Sequence, residues 1–569
     1  PERMMDALGF NPTCSADGRY VAFERGSCRT ERETYRGPAQ RDVWVYDTKN
    51  NNYTQVTSDE GQDIQPNWAS DGSLYFLSAR NGKYNIYHAK MNAGSFGEQK
   101  KISAFKEDGI RHFNISSNGK YAIIELADEL RMMELSKGGK GNLVNLNLPK
   151  DSRYDSYEHK TLRNGLGQYA ISPDGKKMAA TIRGEVFVFE NSKENKITKN
   201  ISNSPFRDQG AEWLNDSTLL FISDRSGEYD LYMANSTDTS RTCLLKSYKI
   251  NIKKLRDTDN DMASFLLSPD RTKIVLRDGR GKMSVAEISD STGIQNEIVL
   301  LDSWATPSGI SWSPDSKWLA YSKADLDFNN EIYIHKADGS SDPINVSMHP
   351  RSDSNPVWSP DGSKLGFESI RNNGDSDLWF AWLKKEDWER TSSEWEMMED
   401  NKKKSDSIVV DIDLDNIYRR LVQVTSMAGN ERNLTISKDG ETFLFTTNGG
   451  GRAGSGGTSV LMSVKWDGSE LKELNKSSVY GLSYDPSSDK YYYLSRGNIY
   501  KSDKGSKGEK ISFTAKMDVL KYEERAQIFD EAWRALEAGF YDPQFHGQDF
   551  EALKKKYRPR ALAASTQIG

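Results

Sequence analysis

One turn-forming motif returns along most of this chain, and it restricts the folds that the chain can adopt. The motif is Ser-Pro-Asp-Gly or a variant of it, followed by a basic residue and a run of β-forming residues. Its clearest copies occupy residues 172–175, 313–316 and 359–362. Weaker copies bring the total to ten, and they begin at Ser15, Ala69, Ser116, Asn215, Ser268, Ser437 and Asp485.

The motif favours a tight turn between two antiparallel strands. Proline presets φ at the first turn position, aspartate bonds to its own backbone, and glycine accepts a positive φ. An alternating strand follows the turn, and then a strand of aromatic and aliphatic residues, as in residues 43–46 and 230–232. Such hairpins at a spacing of roughly 40–50 residues are typical of four-stranded propeller blades. A β-sandwich would not repeat one turn motif in this way.

The number of copies exceeds one ring, because propellers have about 4–8 blades. We expect a break between residues 136 and 160, where three glycines lead into a polar stretch without a strand pattern. Three blades precede this break, and seven follow it from about residue 157 to about residue 505. Seven blades close a ring, whereas three leave apolar faces uncovered. We therefore expect further blades of a first ring before Pro1.

An unusually long spacing separates two of the later turns. The extra segment, residues 384–407, combines charges of both signs with Trp388 and Trp395. Such a composition predicts an exposed, partly helical and solvated insertion between blades. A partner-binding element is the alternative.

The repeat ends before the C-terminal residues of the chain. Phe529, Trp533 and Leu536 recur at helical spacing, which predicts a helix over 522–540. A second short helix follows, and we expect it to end at Pro559. The predicted fold class is therefore all-β: tandem β-propellers, with a partial first ring and a complete seven-bladed second ring, followed by the start of a small α-helical domain.

Charge and composition exclude some classes of partner. The formal net charge is only -6 and no basic stripe is present, which argues against nucleic acid. No apolar run is long enough for a transmembrane helix. The three cysteines form neither a disulfide framework nor a metal cluster, and we expect buried free thiols.

Residues that could carry chemistry give no catalytic constellation. The glycine-rich residues 449–457 lack the Lys-Ser/Thr pair of a phosphate-binding loop and predict a flexible connection. No Gly-x-Ser-x-Gly elbow occurs, and His546, in a Phe-His-Gly turn, is expected to be structural. No two histidines have metal-ligand spacing; the six are His88, His112, His159, His335, His349 and His546. We predict no catalytic residue, metal site or cofactor within this chain, and its substrate-binding residues stay unidentified.

Several segments resemble the tricorn protease family. They are Thr-Tyr-Arg-Gly-Pro at 34–38, Ile-Asp-Leu-Asp-Asn-Ile at 412–417 and, most specifically, Ile-Phe-Asp-Glu-Ala-Trp-Arg at 528–534 with Tyr-Arg-Pro at 557–559. The family combines a six-bladed propeller, a seven-bladed propeller, a small helical domain, a PDZ domain and a catalytic domain. By this resemblance, residues 1–150 are the last three blades of the first propeller and 157–505 the second. Residues 518–569 start the helical domain that precedes the catalytic region.

The resemblance implies a serine peptidase of tricorn type whose propellers filter and channel peptide substrates and products. Its serine nucleophile and histidine would lie beyond Gly569, outside this chain. It also implies assembly as a homo-oligomer, for which a hexamer is one candidate, and it favours a periplasmic or exported location over the cytoplasm.

Two other functions are compatible with propeller blades. The first is a non-enzymatic envelope β-propeller that binds or scaffolds protein partners, and the second is the cap of a prolyl-oligopeptidase-like enzyme. Scaffolding propellers usually follow an α/β domain, and a prolyl-oligopeptidase cap leads into an α/β-hydrolase sheet. The predicted helices after the last blade favour the tricorn type over both.

Overall fold

The chain divides into two units, residues 1–154 and 155–569. The computed structural model describes residues 6–563 apart from 93, 147–155, 195–196, 258–259, 373, 400–407, 450–458, 476–477 and 504–507. Within the described residues the two units contain ten sheets of four antiparallel strands each, one of which gains a short fifth strand. In every sheet the strands follow chain order, as in propeller blades.

The first unit contains three blades. Their strands are β1 (Phe10–Cys14), β2 (Tyr20–Arg25), β3 (Asp42–Asp47), β4 (Asn52–Gln55), β5 (Asp63–Trp68), β6 (Ser73–Ser78), β7 (Asn85–Asn92), β8 (Ser95–Phe96), β9 (Lys100–Lys101), β10 (His112–Ile115), β11 (Tyr121–Leu126), β12 (Glu129–Glu134) and β13 (Asn142–Leu143). The short β13 lies in the stretch for which the sequence predicts no strand. Two residues on the edge of a blade are too few to produce an alternating pattern.

The second unit contains seven blades between two further strands, β14 (Tyr157–Leu162) and β43. The blades comprise β15 (Leu166–Ile171), β16 (Lys177–Ile182), β17 (Glu185–Glu190), β18 (Thr198–Asn200); β19 (Asp208–Asn215), β20 (Thr218–Ser223), β21 (Asp230–Ser236), β22 (Ile250–Arg256); β23 (Met262–Leu267), β24 (Lys273–Asp278), β25 (Lys282–Ser289), β26 (Gly293–Asp302); β27 (Ser308–Trp312), β28 (Trp318–Ala324), β29 (Asn330–Lys336), β30 (Ile344–Asn345); β31 (Asp353–Trp358), β32 (Lys364–Ser369), β33 (Asp377–Trp382), β34 (Leu421–Gln423); β35 (Glu431–Ile436), β36 (Thr442–Thr447), β37 (Val460–Lys465), β38 (Lys472–Asn475); and β39 (Tyr480–Asp485), β40 (Lys490–Ser495), β41 (Asn498–Ser502), β42 (Glu509–Ile511). Strand β43 spans Ala515–Leu520.

The seven blades close into a ring. Tyr169 Oη in the first blade donates to the Gly481 carbonyl in the seventh, at 2.7 Å. Phe187 and Phe189 of the first blade share a buried core with Tyr492 of the seventh. The predicted fold class, tandem propellers followed by helices, is confirmed.

An additional two-stranded sheet joins the two ends of the ring. Strand β14 pairs antiparallel with β43, from Tyr157 opposite Leu520 to Leu162 opposite Ala515. Alternate residues of β43 are buried in the core of the first and seventh blades, namely Ala515, Met517 and Val519. We call this two-stranded sheet the clasp.

The repeated turn motif has the hydrogen bonds that its residues predict. Ser172 Oγ donates to Asp174 Oδ1 at 2.6 Å and accepts the Lys177 N–H at 2.9 Å. Asp174 Oδ1 also accepts the Lys176 N–H at 3.0 Å, and the Gly175 N–H reaches the Ser172 carbonyl at 2.8 Å. The serine and the aspartate therefore satisfy backbone donors at the turn, which explains why this combination recurs.

The charged insertion contains two short helices, α1 (Lys385–Glu389) and α2 (Ser392–Glu399), before a 3-10 turn (Ile417–Arg419). Its helical content agrees with the prediction, but one tryptophan is packed rather than solvated. The Trp395 ring stacks on Trp382 of β33, with 5.1 Å between ring centroids, and the Arg390 guanidinium also lies over the Trp395 ring. The lysine-rich residues 401–404 lie outside the described residues.

Two helices end the chain, α3 (Lys521–Gly539) and α4 (Phe550–Ala563), with a 3-10 turn (Phe545–Gly547) between them. They pack through an aromatic cluster in which Trp533 contacts Phe529 and Phe550. The expected end of α4 at Pro559 is wrong, because the helix continues to Ala563. This helix has no buried residue, so solvent can satisfy the carbonyl that Pro559 leaves without a donor.

The cysteines are free, as expected, but they are not all buried. Cys28 is buried, Cys243 is half-buried and Cys14 is exposed. Within the described residues, no helix has the length and apolar character that crossing a membrane requires.

Candidate functional site

The first strand of each blade lines the centre of the ring. One residue in each of these strands, four positions before the start of the turn motif (five in the second blade), forms a layer of partly or fully exposed positions. The layer consists of Gln168, Gly210, Ser264, Gly309, Asn355, Asn433 and Gly481. These side chains are small or carry an uncharged polar group, so this layer of the wall carries no charge.

A left-handed backbone accompanies this layer. Gly210, Gly309, Asn355, Asn433 and Gly481 have φ between 52° and 63°. Most of the first strands also have a shift of register at this point, which is the geometry of a β-bulge. Because glycine and asparagine tolerate positive φ best, the bulge selects the residues that form the wall.

Neighbouring first strands are connected through this layer. Gln168 Oε1 accepts the Gly210 N–H at 2.7 Å. Glu368 of β32 accepts the Asn355 side-chain amide and the Asn433 N–H, both at 2.9 Å. A Cβ on Gly309 would lie 3.0 Å from Asn355 Cα, so the two strands approach closely. The wall is held by polar contacts from blade to blade.

Tryptophans strengthen the same wall nearer the turns. Trp312 Nε1 donates to the Leu266 carbonyl of the preceding blade at 3.3 Å, and Trp358 Nε1 donates to the Ser311 carbonyl at 3.3 Å. Each indole therefore links its own first strand to the previous one. This explains the aromatic residue in front of Ser-Pro-Asp.

Two opposite charges, those of Glu212 and Arg271, influence each other beside the uncharged layer. Glu212 lies one position before Trp213 in β19, and burial raises its pKa to about 7 while the Arg271 charge opposes that shift. The Arg271 guanidinium donates to the Trp213 carbonyl and lies near Asp216 and, from the seventh blade, Asp485. Arg271 therefore brings a positive charge near acidic side chains of the second and seventh blades.

Helix α3 rests on the loops of the first two blades through charged groups. The Asp224 carboxylate, only 2% exposed, accepts the Arg207 N–H at 2.8 Å and the Gln527 amide at 2.5 Å, and it also pairs with Arg534. Arg207 forms an ion pair with Glu531 at 3.0 Å. Since α3 buries no residue of its own, these polar contacts hold it in place.

A cleft of about 730 Å³ separates α3 from the ring. Its lining includes the clasp, Arg183 between β16 and β17, Arg207 in the loop between the first two blades, and Glu523 and Glu524 of α3. Arg183 pairs with Glu524 across it. The lining carries two arginines and five acidic residues, so the cleft suits a polar chain better than an apolar ligand.

No histidine belongs to the wall layer. His88 stacks against Tyr75 with 4.9 Å between ring centroids, and burial lowers the pKa of His335. His159 Nδ1 lies 2.6 Å from Asp518 in the clasp. His546 Nε2 lies 2.5 Å from Tyr541 Oη, beside Phe540. Across the described residues no three potential metal ligands cluster.

Of the glycine-rich residues 449–457, all but Gly449 lie outside the described residues, and the flexible connection stays a prediction. The wall layer and the Glu212–Arg271 pair were not predicted. A signal for the layer exists in the sequence, namely glycine or asparagine four or five positions before most of the turn motifs, but it becomes recognisable only with the blades in register.

Comparison with known proteins adds two findings. Residues 521–568 match the family model of the Tricorn protease C1 domain. The crystal structure of the tricorn protease matches 98% of this chain with a TM-score of 0.70 at 15% identity. These findings confirm the resemblance to the tricorn protease family. This chain spans about half, 54%, of the tricorn protease chain that it matches.

Other solved structures match less of the fold. A TolB-like protein from Agrobacterium tumefaciens is 15% identical and covers 57% of this chain and 94% of its own, with a TM-score of 0.33. TolB from Acinetobacter baumannii is 17% identical and covers 57% of this chain and 62% of its own, with a TM-score of 0.23. Comparison with the curated proteins gave no match.

Proposed function

We propose that this chain, as a member of the tricorn protease family, is the propeller region of a peptidase, and that its second ring selects the peptides that reach a serine nucleophile. The residues that perform hydrolysis lie outside residues 1–569 in this proposal. The chain forms the route by which peptides reach the nucleophile and by which the products of cleavage leave it.

The uncharged layer of the ring wall is the observation that carries this proposal. A peptide in transit presents its backbone amides and side chains of every kind. Glycine, serine, asparagine and glutamine can exchange hydrogen bonds with that backbone without favouring one charge. A wall of this composition therefore selects peptides by their width more than by their sequence.

The position of the C1 match supports the same proposal. The matched residues begin at 521, directly after the clasp strand β43. The charged cleft beside α3 lies where the ring meets this segment. A peptide that leaves the ring on this side would meet polar groups suited to its termini.

Replacement of Ser264 by tryptophan tests the path. Ser264 belongs to the wall layer and has an ordinary φ, so a large side chain narrows the ring without backbone strain. In the intact gene product, we expect Ser264→Trp to lower kcat/KM by about tenfold or more for peptides of roughly ten residues. Dipeptide amides should be cleaved at the wild-type rate. The matched control is Thr239→Trp, at an exposed position between the third and fourth strands of the second blade.

The purified 1–569 chain completes this experiment, and we expect it to hydrolyse none of these peptides. Equal loss for short and long peptides in Ser264→Trp would contradict passage through the ring. If the intact gene product cleaves no peptide, the envelope-type binding function replaces the peptidase.

A further inference from the structure

Carboxyl groups that are mostly buried meet in pairs where successive blades join. An acid at the start of a third strand lies close to an acid at the start of the next blade's first strand. The pairs are Asp42 with Asp63, Glu185 with Asp208, Glu331 with Asp353, and Asp377 with Glu431. In each pair the first-strand acid is at most 1% exposed. Two neighbouring carboxylates with little access to solvent repel each other, so they need a compensating positive charge.

An arginine supplies that charge in three of the four pairs. It stands two residues after a serine that ends the second strand. Arg225 lies 3.1 Å from Asp208 and Arg371 lies 2.7 Å from Asp353, whereas Arg80 lies 3.6 Å from Asp63. Each guanidinium also covers an aromatic ring of the third strand, as Arg371 covers Trp379 at 4.7 Å.

The junction of the fifth and sixth blades lacks this arginine. Thr447 occupies the place of the serine, and Gly449 occupies the place of the arginine. Asp377 is 2% exposed and Glu431 is fully buried. Their carboxyl groups lie within hydrogen-bonding reach of each other. Within the described residues no basic side chain contacts either of them.

The remaining contacts leave one oxygen unsatisfied. Thr447 and Thr425 each donate to Glu431 at 3.1 Å, and Gln423 donates to Asp377 Oδ2 at 3.2 Å. Asp377 Oδ1 is buried and has no hydrogen-bond partner unless a carboxyl proton lies between the two acids. A shared proton satisfies this oxygen and removes one negative charge.

We propose that Asp377 and Glu431 share one proton at neutral pH in the place of the missing guanidinium, and that its release above neutral pH weakens the junction of the fifth and sixth blades. Burial raises the pKa of both groups, that of Glu431 to about 7. Asp375, just before β33, raises the pKa of Asp377 further. This proton site is independent of whether peptides pass through the ring.

The pH dependence has a definite sign. In the unfolded chain these carboxyls titrate near their ordinary pKa of about 4. Because the folded pair keeps the shared proton up to about pH 7, the folded state holds at least one more proton than the unfolded chain between about pH 5 and pH 7. The folding equilibrium constant therefore falls by about tenfold or more for each pH unit across this range, beyond the contribution of other groups.

Glu431→Gln tests the proposal in the 1–569 chain. A glutamine amide donates to Asp377 as the protonated acid would, without titrating. We expect urea unfolding, followed by tryptophan fluorescence between pH 5 and pH 8, to show a weaker pH dependence of the folding equilibrium constant than in the wild type. The difference should correspond to one proton. At pH 8 the variant should have the higher folding constant, by tenfold or more. Asp377→Asn removes the same proton and serves if Glu431→Gln does not fold.

Asp353→Asn is the matched control, because it occupies the equivalent position where Arg371 is present. It should lower stability at pH 8, opposite to Glu431→Gln. The proposal is overturned if Glu431→Gln keeps the wild-type pH dependence. It is also overturned if sodium, potassium or calcium ions raise wild-type stability at pH 8 to that of the variant, since a bound cation would then fill the site. The same holds if Arg452→Ala, at a position outside the described residues, makes the pH dependence steeper by one proton.

Discussion

Arg271 occupies a turn position that is glycine in three other turns of the ring, Gly175, Gly362 and Gly440. Its φ is 58°, a conformation that costs a non-glycine residue about 1 kcal/mol. The arginine offsets this cost by its hydrogen bond to the Trp213 carbonyl and by its charge beside Glu212. A charge-assisted hydrogen bond is worth about 1.5–3 kcal/mol, which exceeds the backbone strain.

Arg271→Gly should therefore destabilise the ring, by about 1 kcal/mol at pH 8. The loss should become smaller near pH 5.5, because Glu212, with a pKa of about 7, is then protonated and no longer needs the cation. Urea unfolding at the two pH values measures this difference. In a Glu212→Gln background the pH dependence of the loss should disappear, and an unchanged dependence would contradict the assigned pairing.

At the scale of elements, the blades could be predicted because their signals are local. A turn residue such as Asp174 bonds within five residues of itself, so its motif is complete in the sequence. The Ser-x-Arg spacing at 78–80, 223–225 and 369–371 is equally visible in the sequence. The carboxylates that these arginines neutralise, however, come from elsewhere in the same blade and from the preceding blade. The clasp could not be predicted, because His159 and Asp518 are 359 residues apart.

Helix α3 provides a test at this scale, because its attachment depends on one buried carboxylate. Asp224→Ala leaves Arg534 and Gln527 without their acceptor and should weaken docking by about 2 kcal/mol. We expect hydrogen exchange in residues 521–539 to accelerate about thirtyfold, while the blades keep their protection.

Glu531→Gln is the control for this element. It breaks an ion pair whose arginine side chain is 57% exposed, and such pairs contribute little. Exchange in α3 should therefore stay within a fewfold of the wild type. Equal acceleration by the two variants would show that Asp224 is not the anchor.

At the scale of the whole second unit, the ring depends on the clasp as well as on blade packing. In β43, the side chains of Ala515, Met517 and Val519 are buried, whereas Lys516 and Asp518 point outwards. The buried set completes the core between the first and seventh blades. The ends of the ring are therefore joined by both backbone hydrogen bonds and apolar contacts.

Met517→Asp should destabilise this unit by about 3 kcal/mol or more, because it places an unpaired charge in that core. Lys516→Asp, its neighbour on the exposed face, should change stability by less than about 0.5 kcal/mol. Thermal unfolding monitored by circular dichroism distinguishes them. A similar loss in both variants would indicate that the strand contributes through its backbone alone.

Strand β43 runs into α3 without an intervening loop, since one ends at Leu520 and the other begins at Lys521. A mechanical load on the helix is therefore delivered to the clasp. The β14–β43 hydrogen bonds run in register along six residue pairs, so a pull along the strand loads them in parallel, whereas a sideways pull breaks them one after another. The clasp consequently resists tension along the strand strongly and sideways tension weakly. Which of the two applies depends on the angle at which α3 leaves β43.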